Sequence, residues 1–189
     1  MNTAALTAQQ RRDFDEARTR LVAIRETTEK IGDRSMVAIA TVNLSLVALT
    51  SGDFQAGLDD ATEAVERFRE LGDDGGVAVA LGNCGWSALR LSDPARAEGF
   101  FREAIDVAGR LGGIGFIADH APGLAAALVA RHEDERAAEL LGAAASLREE
   151  LDEASRTRWT SSSMSGSSWT QRRRSARRPS PWPGRAGRR

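Results

Sequence analysis

Residues 71–93 read LGDDGGVAVALGNCGWSALRLSD, an apolar segment bounded on each side by a short polar turn that ends in aspartate. Forty residues upstream, residues 31–53 read IGDRSMVAIATVNLSLVALTSGD, with the same turns in the same places. Aligned without gaps, residues 31–70 and 71–110 share 11 identical positions, against about three expected for unrelated segments. A weaker third copy begins at Leu111. An internal period of 40 residues therefore organises the chain.

Each period reads as two helices joined by a tight turn. In the first period, an alanine- and leucine-rich helix is predicted from Arg34 to Thr50 and an amphipathic helix from Phe54 to Leu71. Gly52 suits the end of the first helix, and Asp53 suits the N-cap of the second. The later periods repeat this order, and residues 9–31 match a second helix alone. The pattern predicts an all-α solenoid of about seven helices, stacked as hairpins.

Pro122 falls inside the first helix of the third period. Proline lacks the N–H that closes a helical turn, and in a helix interior it costs about 3 kcal/mol. The sequence therefore predicts that this helix breaks or bends at Pro122. The last unit of a repeat stack is often atypical in this way.

Composition leaves little material for catalysis or metal binding. The 189 residues include one cysteine, two histidines and no tyrosine. Cys84 falls on an apolar helix face, where a free thiol packs as a small hydrophobe. His120 and His132 lack the helical spacing of a ligand pair, and His132 falls in a predicted turn. The glycine-rich residues 72–76 join two helices and lack the Gly-Lys-Ser/Thr of a phosphate loop. We expect no enzymatic activity, no metal site and no cofactor.

Neither a membrane span nor a secretory signal is apparent. No segment reaches the roughly 20 uncharged residues that cross a bilayer. The first ten residues lack the basic opening and the apolar run of a signal peptide. We therefore expect a cytoplasmic protein with no membrane contact.

The chain changes from acidic to basic near residue 156. Residues 1–155 carry 27 acidic and 16 basic side chains, whereas residues 156–189 carry ten arginines and no acid. The formal net charge of −1 hides this asymmetry. Serine, proline and arginine without helical periodicity predict disorder. The sequence thus divides into a helical region, residues 9–155, and a disordered tail, residues 156–189.

Two interpretations of the tail stay open. Its arginines, together with Trp159, Trp169 and Trp182, are suited to binding nucleic acid by charge and by base stacking. Alternatively, the tail is a frameshift product, because GC-rich DNA read out of frame yields this composition. Residues 1–155 contain one lysine against fifteen arginines, as GC-rich coding produces. Under the second interpretation the chain is a truncated fragment.

The turns and the small residues resemble those of the tetratricopeptide repeat. The small positions that the resemblance requires are Ala17, Gly57, Ala97 and Ala137 after the turn, Ala64, Ala104 and Ala144 later in the second helix, and Ser45, Gly85 and Ala125 in the first helix. A 40-residue period is similar to the longer variant in helical sensor regions of bacterial transcriptional regulators. Residues 139–149, ELLGAAASLRE, are similar to the end of such regions in actinobacterial LuxR-type or ATPase-linked regulators.

The resemblance implies a non-enzymatic interaction module with a concave groove lined by the first helices. The residues that it places there are Ile39, Val42, Leu46 and Leu49, then Val79, Gly82, Trp86 and Leu89, then Asp119, Pro122, Ala126 and Val129. Trp86 would anchor a protein, a peptide or a small effector, and Asn43 and Asn83 match asparagines that grip a ligand backbone. The strongest candidates are Asn43, Leu46, Asn83, Trp86 and Leu89. The alternative is that Trp86 belongs to the core and the asparagines join helix to helix.

Overall fold

The computed structural model describes the backbone of residues 3–172 and the side chains of residues 13–113 and 115–153. Within that range the chain forms seven α-helices and no strand, which confirms the predicted all-α fold. The helices are α1 (Thr3–Ile31), α2 (Arg34–Ser51), α3 (Phe54–Leu71), α4 (Asp74–Arg90), α5 (Pro94–Arg110), α6 (Ile114–Ala130) and α7 (Asp134–Arg172).

A turn of the same geometry closes a helix every 20 residues. Positive φ angles occur at Gly32, Gly52, Gly72, Ser92, Gly112 and His132. Glycine adopts this left-handed conformation without steric cost, which explains why it fills most of these positions. The residue after the turn caps the next helix at Asp33, Asp53, Asp73 and Asp93, where each carboxylate accepts a hydrogen bond from the backbone N–H three residues on. The predicted turns and the predicted cap at Asp53 are confirmed.

Each helix packs against the next, and the first helices of successive hairpins also contact one another. The contacting pairs are α1–α2, α2–α3, α3–α4, α4–α5, α5–α6, α2–α4 and α4–α6. One apolar cluster spans α2 to α5 and contains Phe68 and Leu81, and a second surrounds Phe101 and reaches Ala137 of α7. The core therefore passes from hairpin to hairpin, as in a tetratricopeptide-like solenoid.

Small residues permit the close approach of these helices. A Cβ atom added at Gly57 would lie 3.2 Å from the backbone nitrogen of Leu49 and 3.1 Å from Ser87 Oγ. A Cβ atom at Gly85 would lie 2.7 Å from the Phe101 ring. Both contacts are tighter than a close-packed interior tolerates without displacement. The positions that were predicted to be small are thus the positions where one helix rests on another.

The third hairpin departs from the pattern, but its first helix does not break. Helix α6 runs unbroken with Pro122 inside it, so a break at Pro122 is wrong, whereas the predicted bend stays a prediction. Pro122 has no N–H to donate to the carbonyl of Ala118, one turn earlier. The Arg148 guanidinium of α7 donates a hydrogen bond to that same carbonyl oxygen at 2.9 Å and to Asp119 Oδ1 at 3.1 Å. Arg148 supplies the donor that the proline removes.

Helix α2 corrects the expectation that no segment is apolar enough to span a membrane. By length and composition alone, Arg34–Ser51 could cross a bilayer, with a mean hydropathy of 1.3. Helix α2 packs against α1, α3 and α4, and 44% of that window is buried inside the protein. The core helix of a stack passes the same test, so the apolar character of α2 is explained by its neighbours.

Helix α7 extends beyond the predicted end of the helical region. It continues to Arg172, whereas the composition predicted no regular structure from residue 156. Arginine and serine are tolerated in helices, and the first proline after Pro122 is Pro179. By its contacts the chain divides into two units, Met1–Arg148 and Glu149–Arg189. Residues 173–189 of the predicted disordered tail lie outside the described residues, and the boundary at residue 155 stays a prediction.

A double-mutant cycle tests the partnership of Arg148 with Pro122. We expect Arg148→Ala to lower the free energy of unfolding by about 1 kcal/mol, because the Ala118 carbonyl loses its donor. In a Pro122→Ala background the loss should be clearly smaller, since the new N–H bonds to that carbonyl. Urea denaturation of the four proteins measures this coupling. Arg136→Ala, which removes a surface ion pair with Glu133, is the control and should be additive with Pro122→Ala. Additivity of Arg148→Ala with Pro122→Ala would contradict the assignment.

Candidate binding groove

Exposed apolar side chains gather on the first helix of each hairpin. Twelve large apolar side chains are exposed in the described part of the chain. Seven of them lie on α2, α4 and α6, namely Met36, Ile39, Leu46, Val79, Trp86, Phe116 and Val129. Since α2 contacts α4 and α4 contacts α6, these side chains lie on neighbouring helices. We call this exposed side of the three helices the groove face. Apolar surface gathered in this way is typical of an interaction site.

Leu46, Asn43 and Trp86 lie on the groove face as predicted from the sequence. The Leu46 side chain is 47% exposed, and Asn43 is exposed without a hydrogen bond to any described residue. Trp86 is 38% exposed, and its ring meets the buried Phe101 ring edge-on, with the centroids 5.4 Å apart. Trp86 is therefore partly a core residue and partly a surface residue, which combines the two interpretations offered by the sequence.

Asn83 and Leu89 are turned toward the protein instead. Asn83 donates a hydrogen bond to Ser45 Oγ at 2.8 Å and approaches the Val42 carbonyl oxygen at 3.4 Å. It thereby joins α4 to α2, as the alternative interpretation proposed. Leu89 is partly buried and packs against the apolar cluster around Phe101. Both side chains are half-buried, and the contact of Asn83 and Leu89 with a partner stays a prediction.

Two residues that were predicted for the groove face are buried, and two exposed residues of that face were not predicted. Val42 belongs to the core cluster, and Gly82 is covered by a side chain of α6. Met36 and Phe116, one turn nearer the N-terminus of their helices, are exposed but were not predicted. Both occupy the same position in the 40-residue period, so extending the predicted stripe by one turn would have found them. The other predicted residues are exposed or half-buried, namely Ile39, Leu49, Val79, Asp119, Pro122, Ala126 and Val129.

A cleft of about 630 Å³ lies beside the groove face, between α1 and α2. Apolar side chains form part of its wall and acidic side chains stand along α1. Glu16 is paired with Arg20, one helical turn away, and Asp13 is exposed without an ion pair to a described residue. The lining residues are Asp13, Glu16, Ala17, Arg20, Leu21, Asn43, Leu46 and Val47. The cleft combines apolar and charged groups, and it shares Asn43 and Leu46 with the groove face.

Cys84 is buried, and its thiol is unreactive at neutral pH. Its side chain lies in the core cluster, with the Thr62 hydroxyl 3.8 Å from the sulfur. Burial raises the pKa of the thiol to about 11, and the Thr62 hydrogen bond offsets part of that effect. The thiolate is the nucleophilic form, so Cys84 has no reactive role at neutral pH. It packs as a small hydrophobe, as the sequence predicted.

His120 fills the space opposite Gly82 between α6 and α4. A Cβ atom at Gly82 would lie 2.6 Å from His120 Cε1. At the interface of α2 with α4, the equivalent residues are Val42 and Ala80. There the larger side chain belongs to the earlier helix, whereas at the interface of α4 with α6 it belongs to the later helix. The imidazole Nε2 is buried without a hydrogen-bond partner among the described residues. Burial lowers the pKa of His120 below its usual 6.5, and the nearby Asp119 carboxylate partly opposes this. His120 is therefore protonated less readily in the folded protein than in the unfolded chain.

The residues described offer no group of three or more metal-ligating side chains. His132 occupies an exposed turn in the left-handed conformation, as its place in the period predicted. Ion pairs of Glu133 with Arg131 and Arg136 lie beside it, and Arg131 also reaches Glu98 at 3.0 Å. These ion pairs hold the turn between α6 and α7.

A family model described as tetratricopeptide repeat matches residues 36–110. This match covers α2 to α5, which are two complete hairpins. Such repeats are interaction modules without catalytic activity of their own. The crystal structure of BtubC (BKLC) from P. vanneervenii is similar over 77% of this chain and 91% of that chain, with 14% sequence identity and a TM-score of 0.41. None of the curated proteins matches the sequence.

The burial of His120 predicts a pH-dependent stability. We expect the free energy of unfolding to fall as pH drops through 6.5, because the unfolded chain binds a proton at His120 more readily than the folded chain does. The double variant Gly82→Val/His120→Ala, which copies Val42 and Ala80, should remove that component. Urea denaturation between about pH 7.5 and about pH 5.5 measures the difference between the two proteins. Equal pH profiles would contradict a buried neutral His120.

Proposed function

We propose that this chain is a non-enzymatic interaction module that binds an apolar peptide or helix on the groove face. The observation that carries this proposal is the gathering of seven exposed apolar side chains on α2, α4 and α6. Burying apolar surface stabilises a complex by about 25 cal/mol per Å² before the costs of association. Trp86 would anchor the partner, because its ring is held against Phe101 and loses little freedom on binding.

We propose further that the module is a portion of a bacterial transcriptional regulator in the cytoplasm. The support is the likeness of residues 139–149 to the sensor regions of LuxR-type and ATPase-linked regulators. In that setting the groove face would bind another part of the regulator, a partner protein or a small effector. The match to tetratricopeptide repeats supports protein binding in general and does not reach the identity of the partner.

Charged substitutions on the groove face should weaken binding selectively. We expect Leu46→Asp and Val79→Asp each to cost about 2 kcal/mol of binding free energy, or about 30-fold in Kd, for peptides selected on the unmodified protein from a random displayed library. The matched control is Leu141→Asp on α7, since Leu141 is 46% exposed and Leu46 is 47% exposed. Fluorescence anisotropy measures the affinities, and circular dichroism checks that the variants fold. Equal losses in all three variants would end the groove proposal.

The alternative function is nucleic-acid binding through the arginine-rich tail. It is favoured by the ten arginines and the absence of acid after residue 155, beside an acidic body. Replacing Arg172, Arg173, Arg174, Arg177 and Arg178 by glutamine should then flatten the salt dependence of single-stranded DNA binding. The log–log slope should fall by about 0.7 for each phosphate that an arginine no longer neutralises. An unchanged slope, or no binding by the unmodified chain, would leave the groove as the functional surface.

A further inference from the structure

His120 lies in the contact between α4 and α6, two of the three helices that form the groove face. The residue is only 9% exposed, and its imidazole rests directly on the backbone of α4 at Gly82. Because protein interiors are close-packed, the ring has no room to turn toward solvent while α6 stays against α4. Whatever changes the charge of this imidazole therefore acts on the contact between the two helices.

The buried imidazole lacks the hydrogen-bond acceptor that its charged form requires. Nε2 has no hydrogen-bond partner among the described residues and is shielded from solvent. A neutral imidazole carries one N–H group, whereas a protonated imidazole carries two and a positive charge. Protonation in the packed arrangement would therefore leave a charged donor at Nε2 buried and unpaired, which is costly.

The charges on the helices around His120 compensate this cost only in part. Residues 75–89 of α4 include no charged side chain, and the titratable Cys84 lies in the core cluster beside Thr62. On α5, the buried carboxylate of Glu98 is already paired with two arginines. On α6, the Asp119 carboxylate favours the imidazolium, but Arg148 of α7 is bonded to it. Burial outweighs Asp119, so the pKa of His120 lies below its usual 6.5.

The imidazole binds a proton more readily once α6 has moved away from α4. In water its pKa is near 6.5, so as pH falls through that value the separated arrangement gains protons before the packed one does. The ratio of separated to packed molecules then rises, by at most about tenfold between about pH 7.5 and about pH 5.5 for one histidine. In a solenoid each unit contacts only its neighbours, so α6 can separate from α4 while α1, α2 and α3 stay packed.

We propose that His120 makes the α6 side of the groove face sensitive to mild acid, because uptake of one proton by its imidazole favours the arrangement in which α6 has separated from α4. Phe116 and Val129 of α6 then no longer share a surface with Val79 and Trp86 of α4. A partner that contacts both helices binds the packed arrangement and therefore competes with the proton. This consequence for binding rests on the function proposed above, whereas the separation of α6 does not.

Amide hydrogen exchange of the full chain at about pH 7.5 and about pH 5.5 tests the separation without any ligand. We expect the protection factors of the α6 amides to fall several-fold at the lower pH, and by no more than about tenfold. Those of α2 should change less, because α2 has no contact with α6 in the described part of the chain. Unchanged protection of α6 would overturn the proposal.

Two variants assign the effect to His120. Gly82→Val/His120→Ala, which copies the α2–α4 contact, should abolish the fall in protection of α6. His132→Ala is the matched control and should keep it, since His132 lies in the exposed turn after α6. A fall that persists in the double variant, or one that disappears in His132→Ala, would contradict the role of His120.

An NMR titration of the unmodified chain replaces the double variant if that variant does not fold. The Cε1 protons of the two histidines are followed, and His132→Ala assigns them. His120 should titrate with a midpoint below 6.5, as its burial requires. A midpoint at or above 6.5 would overturn the proposal.

Peptides selected on the unmodified protein test the link to binding. For histidine-free peptides that Phe116→Ala weakens, we expect Kd to rise several-fold between about pH 7.5 and about pH 5.5, and by no more than about tenfold. Peptides that are indifferent to Phe116→Ala should keep their Kd. Equal Kd values at the two pH values in the first group would overturn the link between His120 and the groove face. A library that yields no binding peptide would contradict the groove function alone, since hydrogen exchange tests the separation of α6 independently.

Discussion

Close contact between helices at small residues is the constraint on which the stack depends. Gly57 rests on the backbone of α2 near Leu49, and Gly85 rests on the Phe101 ring. Because the hairpins approach so closely, each first helix also touches the first helix of the next hairpin. One side of α2, α4 and α6 then stays outside the core. The groove face is thus a consequence of how the hairpins stack, and we propose binding as the explanation for the apolar residues on it.

The third hairpin keeps this geometry with different chemistry. Helix α6 lacks the aspartate cap of the earlier helices, since Gly113 stands at the cap position without a side-chain hydrogen bond. Its proline leaves the Ala118 carbonyl free, and Arg148 bonds to it from α7. Its interface with α4 places His120 against Gly82, where the earlier interface has Val42 and Ala80. The proline and the histidine are each matched by a residue on a neighbouring helix, so the repeat persists in three dimensions where its sequence has changed.

Local signals in the sequence were enough to predict the helices, and contacts between helices were not. The turns at Gly52, Ser92 and His132 follow from residue type and the fixed period. The unbroken α6 could not be predicted, because the donor for its free carbonyl comes from Arg148, 30 residues away from Ala118. The roles of Asn43 and Asn83 could not be separated either, since both occupy the same repeat position. Spacing predicts the face on which a residue lies, but the neighbouring helix determines whether its side chain is exposed or bonded to another helix.

Asn43 and Asn83 illustrate this point. Asn83 contributes to packing between hairpins, because it joins α4 to α2. In α2 the equivalent Asn43 is exposed and lines the cleft beside α1, without a hydrogen bond to a described residue. Leu21 and Ile24 follow the same logic, because they occupy positions that are buried alanines one unit later. The same repeat position therefore joins two helices in one hairpin and lines a cleft in another.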